Sequence, residues 1–155
     1  MARSRAYDPL QRFRFRVSIA PGDGQPMFFG FSRVSGLEKE YEVAEYAEGG
    51  YEGTHKLPGK LRTGVITCER GVASLSESAT KPFELVEQFL NSARGLRSTI
   101  VIEELDYRGI TQRTHVVEEA WVSKFTAPEY DAASSEVAIE SIEIQYEDFN
   151  TFRQL

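Results

Sequence analysis

Residues 12–19, Arg-Phe-Arg-Phe-Arg-Val-Ser-Ile, alternate polar and apolar without a break. Phe13, Phe15, Val17 and Ile19 therefore share one face of an extended chain, with Arg12, Arg14, Arg16 and Ser18 on the other, as in a half-buried strand. The arginine row reads equally as a solvated face or as an interface for acidic neighbours. Pro21 to Pro26 reads as a hairpin loop. Aromatic and β-branched residues from Met27 to Val34 predict a second strand, ended by a turn at Ser35-Gly36. Beyond it Lys39, Tyr41 and Val43 alternate with Glu38, Glu40 and Glu42, which puts the three carboxylates on one strand face. From about Ala47 to Gly64 the alternation stops, and Gly49, Gly50, Gly53, Gly59 and Gly64 accompany Pro58. This predicts a long loop; in a compact domain such a loop is functional, disordered or held by something outside the domain.

Thr80 to Gly95 carries helical signals. Thr80 suits an N-cap, Pro82 the first turn and Glu84 the positive end of the dipole, while Phe83, Val86, Phe89 and Leu90 make a stripe that covers a sheet. Ser98–Asp106 and Thr111–Phe125 predict strands around a turn at Tyr107–Ile110. Trp121, Phe13, Phe15 and Phe89 are expected in the core, where an indole or phenyl ring buries most area. In the last strand Val137 and Ile139 set one parity and Ile142, Ile144 and Tyr146 the other, which predicts a β-bulge at Glu140-Ser141. Glu136 and Glu140 then share one side of that strand.

Composition narrows the chemistry. At 155 residues, 41% hydrophobic and 27% charged, the chain suits one domain spanning 1–155. A net charge of −6 argues against a general nucleic-acid surface, although an acidic wall would let a polyanion slide past. No apolar run approaches the roughly 20 residues of a membrane span, and no signal peptide is visible, which implies cytoplasmic synthesis and no membrane insertion. The lone Cys68 reads as a small buried hydrophobe. His55 and His115 have no ligand at metal spacing, and the glycines at 49–53 lack the Lys-Ser/Thr of a phosphate loop. Glu103-Glu104 and Glu118-Glu119, adjacent in strands, are expected to point to opposite faces. No catalytic, cofactor or metal residue is therefore assigned.

Several motifs follow one another in order: Phe31-Ser-Arg-Val-Ser-Gly-Leu37, Glu45-Tyr-Ala-Glu-Gly-Gly50, His55-Lys-Leu-Pro-Gly59 and Ile66-Thr-Cys-Glu-Arg-Gly71. Ala120-Trp-Val-Ser-Lys124 and the stretch from Asp131 to Glu140 complete the set. Together they resemble the tube protein of contractile tails, a family of contractile phage tail tubes and extracellular contractile injection system tubes. The resemblance implies a mainly β (α+β) fold: two packed antiparallel sheets, barrel-like, with one α-helix, closing into a large β-barrel on hexamerisation. It implies an N-terminal arm (about 1–10) and a long inter-subunit loop (about 47–64), whose candidate contacts are Glu48, Gly49, Gly50, Tyr51, His55, Lys56, Leu57, Pro58 and Gly59. Candidate lumen or interface charges are Glu38, Glu40, Glu42, Glu136, Glu140, Arg12, Arg14 and Arg16. The implied partners are further copies stacked as hexameric rings, a sheath outside, baseplate or initiator and terminator proteins at the ends, and DNA or protein cargo in the lumen of a particle that is released from the cell or forms a virion tail. A tube initiator or a secreted type VI ring shares the fold. A small-ligand-binding β-barrel is the reading from another class, and it would be monomeric.

Overall fold

The computed structural model describes residues 10, 12–21, 26–71 and 97–153. The expected helix, with Phe83, Val86, Phe89 and Leu90, and all but the end of the expected arm lie outside the described residues. Ten strands follow in order: β1 (Phe15–Pro21), β2 (Met27–Phe29), β3 (Arg33–Ser35), β4 (Lys39–Ala47), β5 (Thr54–Thr63), β6 (Ile66–Gly71), β7 (Ser98–Leu105), β8 (Thr111–Thr126), β9 (Ile139–Gln145) and β10 (Asp148–Arg153). Every pairing is antiparallel.

The organising strand is β8. Its first half pairs with β7 on one side and β10 on the other, and its second half pairs with β9. One sheet therefore runs β2-β1-β7-β8-β10 and the other β8-β9-β6-β3, with β8 shared. A strand that changes sheets must bend, and β8 does so through bulges. Glu118 and Glu119 together oppose Thr99, with Glu119 in the left-handed region at φ 53°, and Ser123 is extra opposite Glu143 and Ile144. Glu118 and Glu119 are in consequence both exposed between buried Val117 and Ala120, so the expected opposite-face arrangement does not hold there.

Between the sheets Val17, Ile19, Ile100, Ile102 and Val117 meet Ile66, Cys68, Ile142 and Ile144 in one core. The alternation of β1 is as read: Val17 sits opposite Ile102 and Phe29, and Ile19 opposite Ile100 and Met27. The strand, however, starts at Phe15. Phe13 lies in the preceding turn and is 71% exposed, which corrects its place in the core, whereas Phe15 packs against it. The segment 27–34 is two strands, because β2 pairs with β1 and β3 with β6, so the chain crosses between sheets at Gly30–Ser32. Phe29 and Phe31 stack across that crossing, ring centroids 5.7 Å apart. Gly36 ends the passage at φ 94°, where an added Cβ would lie 1.8 Å from the Val65 carbonyl oxygen; both facts demand glycine.

Three further expectations are corrected. The ladder between β6 and β9 runs from Ile66↔Ile144 to Gly71↔Ile139 without a break, so β9 has no bulge at Glu140-Ser141. Val137 and Ile139 face outward, and Glu140 takes the inward position because the Arg70 guanidinium, opposite it in register, binds its carboxylate at 2.7 Å. Trp121 is 38% exposed, beside the bend in β8, with the Arg97 guanidinium 5.6 Å from its ring, and does not anchor the core. Cys68 is buried, and burial pushes its thiol up to about 12, which suits a side chain that packs and does not react.

Candidate assembly surfaces

The expected loop over 47–64 is a β-ribbon. β4 and β5 pair from Lys39↔Thr63 to Ala47↔Thr54, and among the described residues no other strand pairs with them. The glycines and proline that broke the alternation have local reasons. Between Tyr41↔Leu61 and Val43↔Pro58 one residue, Glu42, faces two, Gly59 and Lys60, which is a bulge in β5. A Cβ on Gly59 would stand 2.8 Å from the Glu42 carbonyl oxygen. Pro58 donates no hydrogen bond and is tolerated beside a bulge in a strand whose outer edge no described residue pairs with.

At the tip, Gly50 turns with φ 86° and the Tyr51 amide donates to the Glu48 carbonyl at 3.2 Å. His55 lies between the rings of Tyr46 and Tyr51, at 4.9 and 4.6 Å, and one ring nitrogen meets the Glu48 carboxylate at 3.1 Å. Lys56 reaches Glu45 at 4.0 Å. At the base, the Tyr146 hydroxyl accepts from the Glu38 amide at 3.1 Å and lies 2.8 Å from the Glu38 carbonyl, to which it donates. The Thr63 hydroxyl donates to the Tyr146 carbonyl at 3.0 Å, and the Lys39 ammonium reaches Asp148 at 3.1 Å and the Phe149 carbonyl at 2.8 Å. Asp148 is held below the usual carboxylate range by the Lys39 hydrogen bond and by its hydrogen bond from the Phe149 amide.

Strand register sorts the ribbon into two faces. Tyr41, Val43, Leu61 and Pro58 share one, and Glu40, Glu42 and Arg62 the other, where Arg62 binds the Glu42 carboxylate. Every residue of β4 is exposed, including Tyr41 at 62% and Val43 at 63%. Glu38 precedes the strand, so the glutamate row reduces to Glu40 and Glu42 within it.

The other charged rows are dispersed. Arg16 binds Glu103 of its own chain at 2.5 Å, and that hydrogen bond with its charge raises the Arg16 pKa. Arg14 donates to the Tyr107 carbonyl at 3.3 Å and lies over the Phe13 ring. Arg12 is exposed in the turn. Glu136 lies before β9, its amide donating to the Ser134 hydroxyl at 3.2 Å, while Glu140 is inside with Arg70. These two glutamates form no exposed row.

One cluster has no local signal in the sequence. Arg113 grips the Glu104 carboxylate side-on, Nε donating at 2.7 Å and one terminal guanidinium nitrogen at 2.8 Å, and His115 touches it at 3.1 Å while its other nitrogen meets the Thr151 hydroxyl at 2.8 Å. The Arg113 hydrogen bond, ahead of that from His115 and against some desolvation, holds Glu104 below its ordinary pKa. The cluster lines an open cleft of about 1010 Å³. Its residues come from strands far apart in sequence, so only the fold assembles it.

With this geometry, the fold has known counterparts. The profile of the T4-like virus tail tube protein gp19 family matches residues 11–150. The chain belongs to that family. A tube chain so identified has close structural neighbours. A chain in the anti-feeding prophage (AFP) baseplate superposes with a TM-score of 0.83 at 24% identity, covering 94% of this protein and 97% of that chain. A chain of the PVC sheath/tube terminator of an extracellular contractile injection system gives 0.78 at 25% identity, with 94% and 97% covered. A type six secretion system protein gives 0.51 at 10% identity, with 88% and 82% covered, a likeness of fold alone. No curated protein matches the sequence.

Proposed function

We propose that this tail tube protein is the repeating subunit of the inner tube of a contractile injection machine, assembling as hexameric rings that stack around a cargo-conducting lumen. A sheath would lie outside and baseplate and terminator proteins at the ends, the settings named for its structural neighbours. The observation that carries the reading is the β4–β5 ribbon. A two-stranded ribbon is marginal alone, and among the described residues this one has no partner on either outer edge and both faces are open. Closing ribbons from successive copies into a barrel satisfies the edges. The apolar face of Tyr41, Val43 and Leu61 then packs against neighbouring protein, and the Glu40, Glu42 and Arg62 face looks into the lumen. The tip from Glu48 to Gly59 contacts the adjacent copy. An acidic lumen wall repels acidic or polyanionic cargo and lets it slide.

Light scattering and electron microscopy test this directly. The wild-type protein should form rings or tubes, and Tyr41→Asp with Val43→Asp should give a folded monomer, since both side chains are exposed in the single chain. A wild-type protein that stays monomeric at high concentration contradicts the reading and returns the ligand-binding barrel. The likeness to a baseplate chain favours a second reading, a tube initiator, which would form single rings that do not stack.

A further inference from the structure

The ribbon is anchored to the body of the protein at its foot. Every residue of β4 is exposed, and in β5 only His55 and Thr63 are half-buried. His55 is covered by the tip's own tyrosines. Among the described residues, every hydrogen bond and ion pair from ribbon to body starts at Glu38, Lys39 or Thr63.

Their partners all lie in residues 146–149, the turn from β9 into β10. Tyr146 holds both strands. Its hydroxyl binds the Glu38 amide and carbonyl below β4, and its own carbonyl accepts from the Thr63 hydroxyl at the end of β5. Lys39 adds its bonds to Asp148 and the Phe149 carbonyl, with its ammonium 4.9 Å from the Phe149 ring. That ring stands edge-on to Tyr146, centroids 6.1 Å apart. Tyr146 belongs to the buried core, so core packing fixes the groups that hold the ribbon.

The foot has no slack. The Gly64 amide donates to the Glu38 carbonyl at 3.1 Å, and a Cβ on Gly64 would stand 2.6 Å from Glu38 Cγ and 2.7 Å from the Gly36 carbonyl oxygen. Two strands tied together here tilt as one body about the foot. From Lys39 to Ala47 the ribbon runs about 27 Å, so a tilt of about 10° moves its tip by about 5 Å, the spacing between paired strands. A contact repeated head to tail closes into a ring only where its rotation is held, and otherwise grows as an open helix.

We propose that Tyr146 and Lys39 form a clamp that fixes the angle of the ribbon to the body, and with it the number of copies that close a ring. The inference rests on the tube reading and adds to it two positioning residues, which act through the ribbon.

Two measurements on the full-length chain test it. In dissociated protein, spin labels on Thr54→Cys and Thr126→Cys, both exposed positions, report the distance from ribbon to body, while the native Cys68 is buried. Tyr146→Phe with Lys39→Met should broaden that distance distribution about twofold or more. On assembly the same variant should give mixed ring sizes and open spirals in micrographs where wild type gives one closed ring. Ile19→Val trims the core without touching the clamp, so it should lower stability and leave both readouts unchanged. Lys39→Met alone, at an exposed position, should broaden the distribution to a smaller degree, and it carries the test if the double variant does not fold. An unchanged distribution, or one ring size in the clamp variants, overturns the proposal and leaves the tube reading intact. Equal broadening by Ile19→Val assigns the effect to lost stability and overturns it too. A wild-type chain that never assembles defeats the tube reading and the claim about ring size together, and the spin labels still decide the clamp.

Discussion

Tyr146 ties the core to the ribbon through its hydroxyl, which grips the Glu38 backbone. Tyr146→Phe should cost about 1–2 kcal/mol in urea unfolding, the worth of a part-buried hydrogen bond whose backbone partners are left wanting. Arg70→Ala should cost more, about 3–5 kcal/mol, by leaving the Glu140 carboxylate buried and unpaired. Glu104 adds an acid-sensitive contribution. Its folded pKa lies below its ordinary value, so the stability from the Arg113 grip is present above the unfolded pKa, near 4.5, and is lost as pH falls through the lower folded value. Arg113→Gln should flatten that acid limb in a melting series from pH 6 to about pH 2; an unchanged limb would rule the grip out. Residues were where the sequence was least legible. Glu140 reads as a surface acid until Arg70, opposite it in β6, is seen. Trp121 and Phe13 read as core by size, yet one sits at a bend and the other in a turn.

At the scale of elements, strong alternation was legible and broken alternation was not. β1, β7 and the turn before β8 stand close to where their patterns put them. The ribbon was missed because Pro58 and Gly59 mark a bulge with the same residues that mark a loop. The bulge expected in β9 lies in β8, since a buried Arg70–Glu140 pair mimics a parity slip while exposed Glu118-Glu119 hides a real one. Amide exchange separates the elements. In the dissociated chain β4 and β5 should exchange far faster than β7 and β8, because a single ladder holds them among the described residues, and assembly should protect them. Equal protection in both states would mean the ribbon meets no partner.

For the whole molecule, the ordered motifs marked the family that the profile over residues 11–150 establishes. Their meaning is physical: Gly36 is required by its backbone, and Lys56-Leu-Pro-Gly59 builds the bulged edge of a ribbon. The cluster around Glu104 was illegible, because its parts are drawn together only by the sheets. A tube built from this chain requires that ribbon to be part of an inter-subunit sheet. A cryo-EM reconstruction of the assembled full-length protein tests it most directly. It should show β4 and β5 of each copy hydrogen-bonded along both edges to ribbons of its neighbours, with Glu40 and Glu42 toward the lumen. Rings that carry the ribbon on their outer surface with its edges unpaired would contradict it.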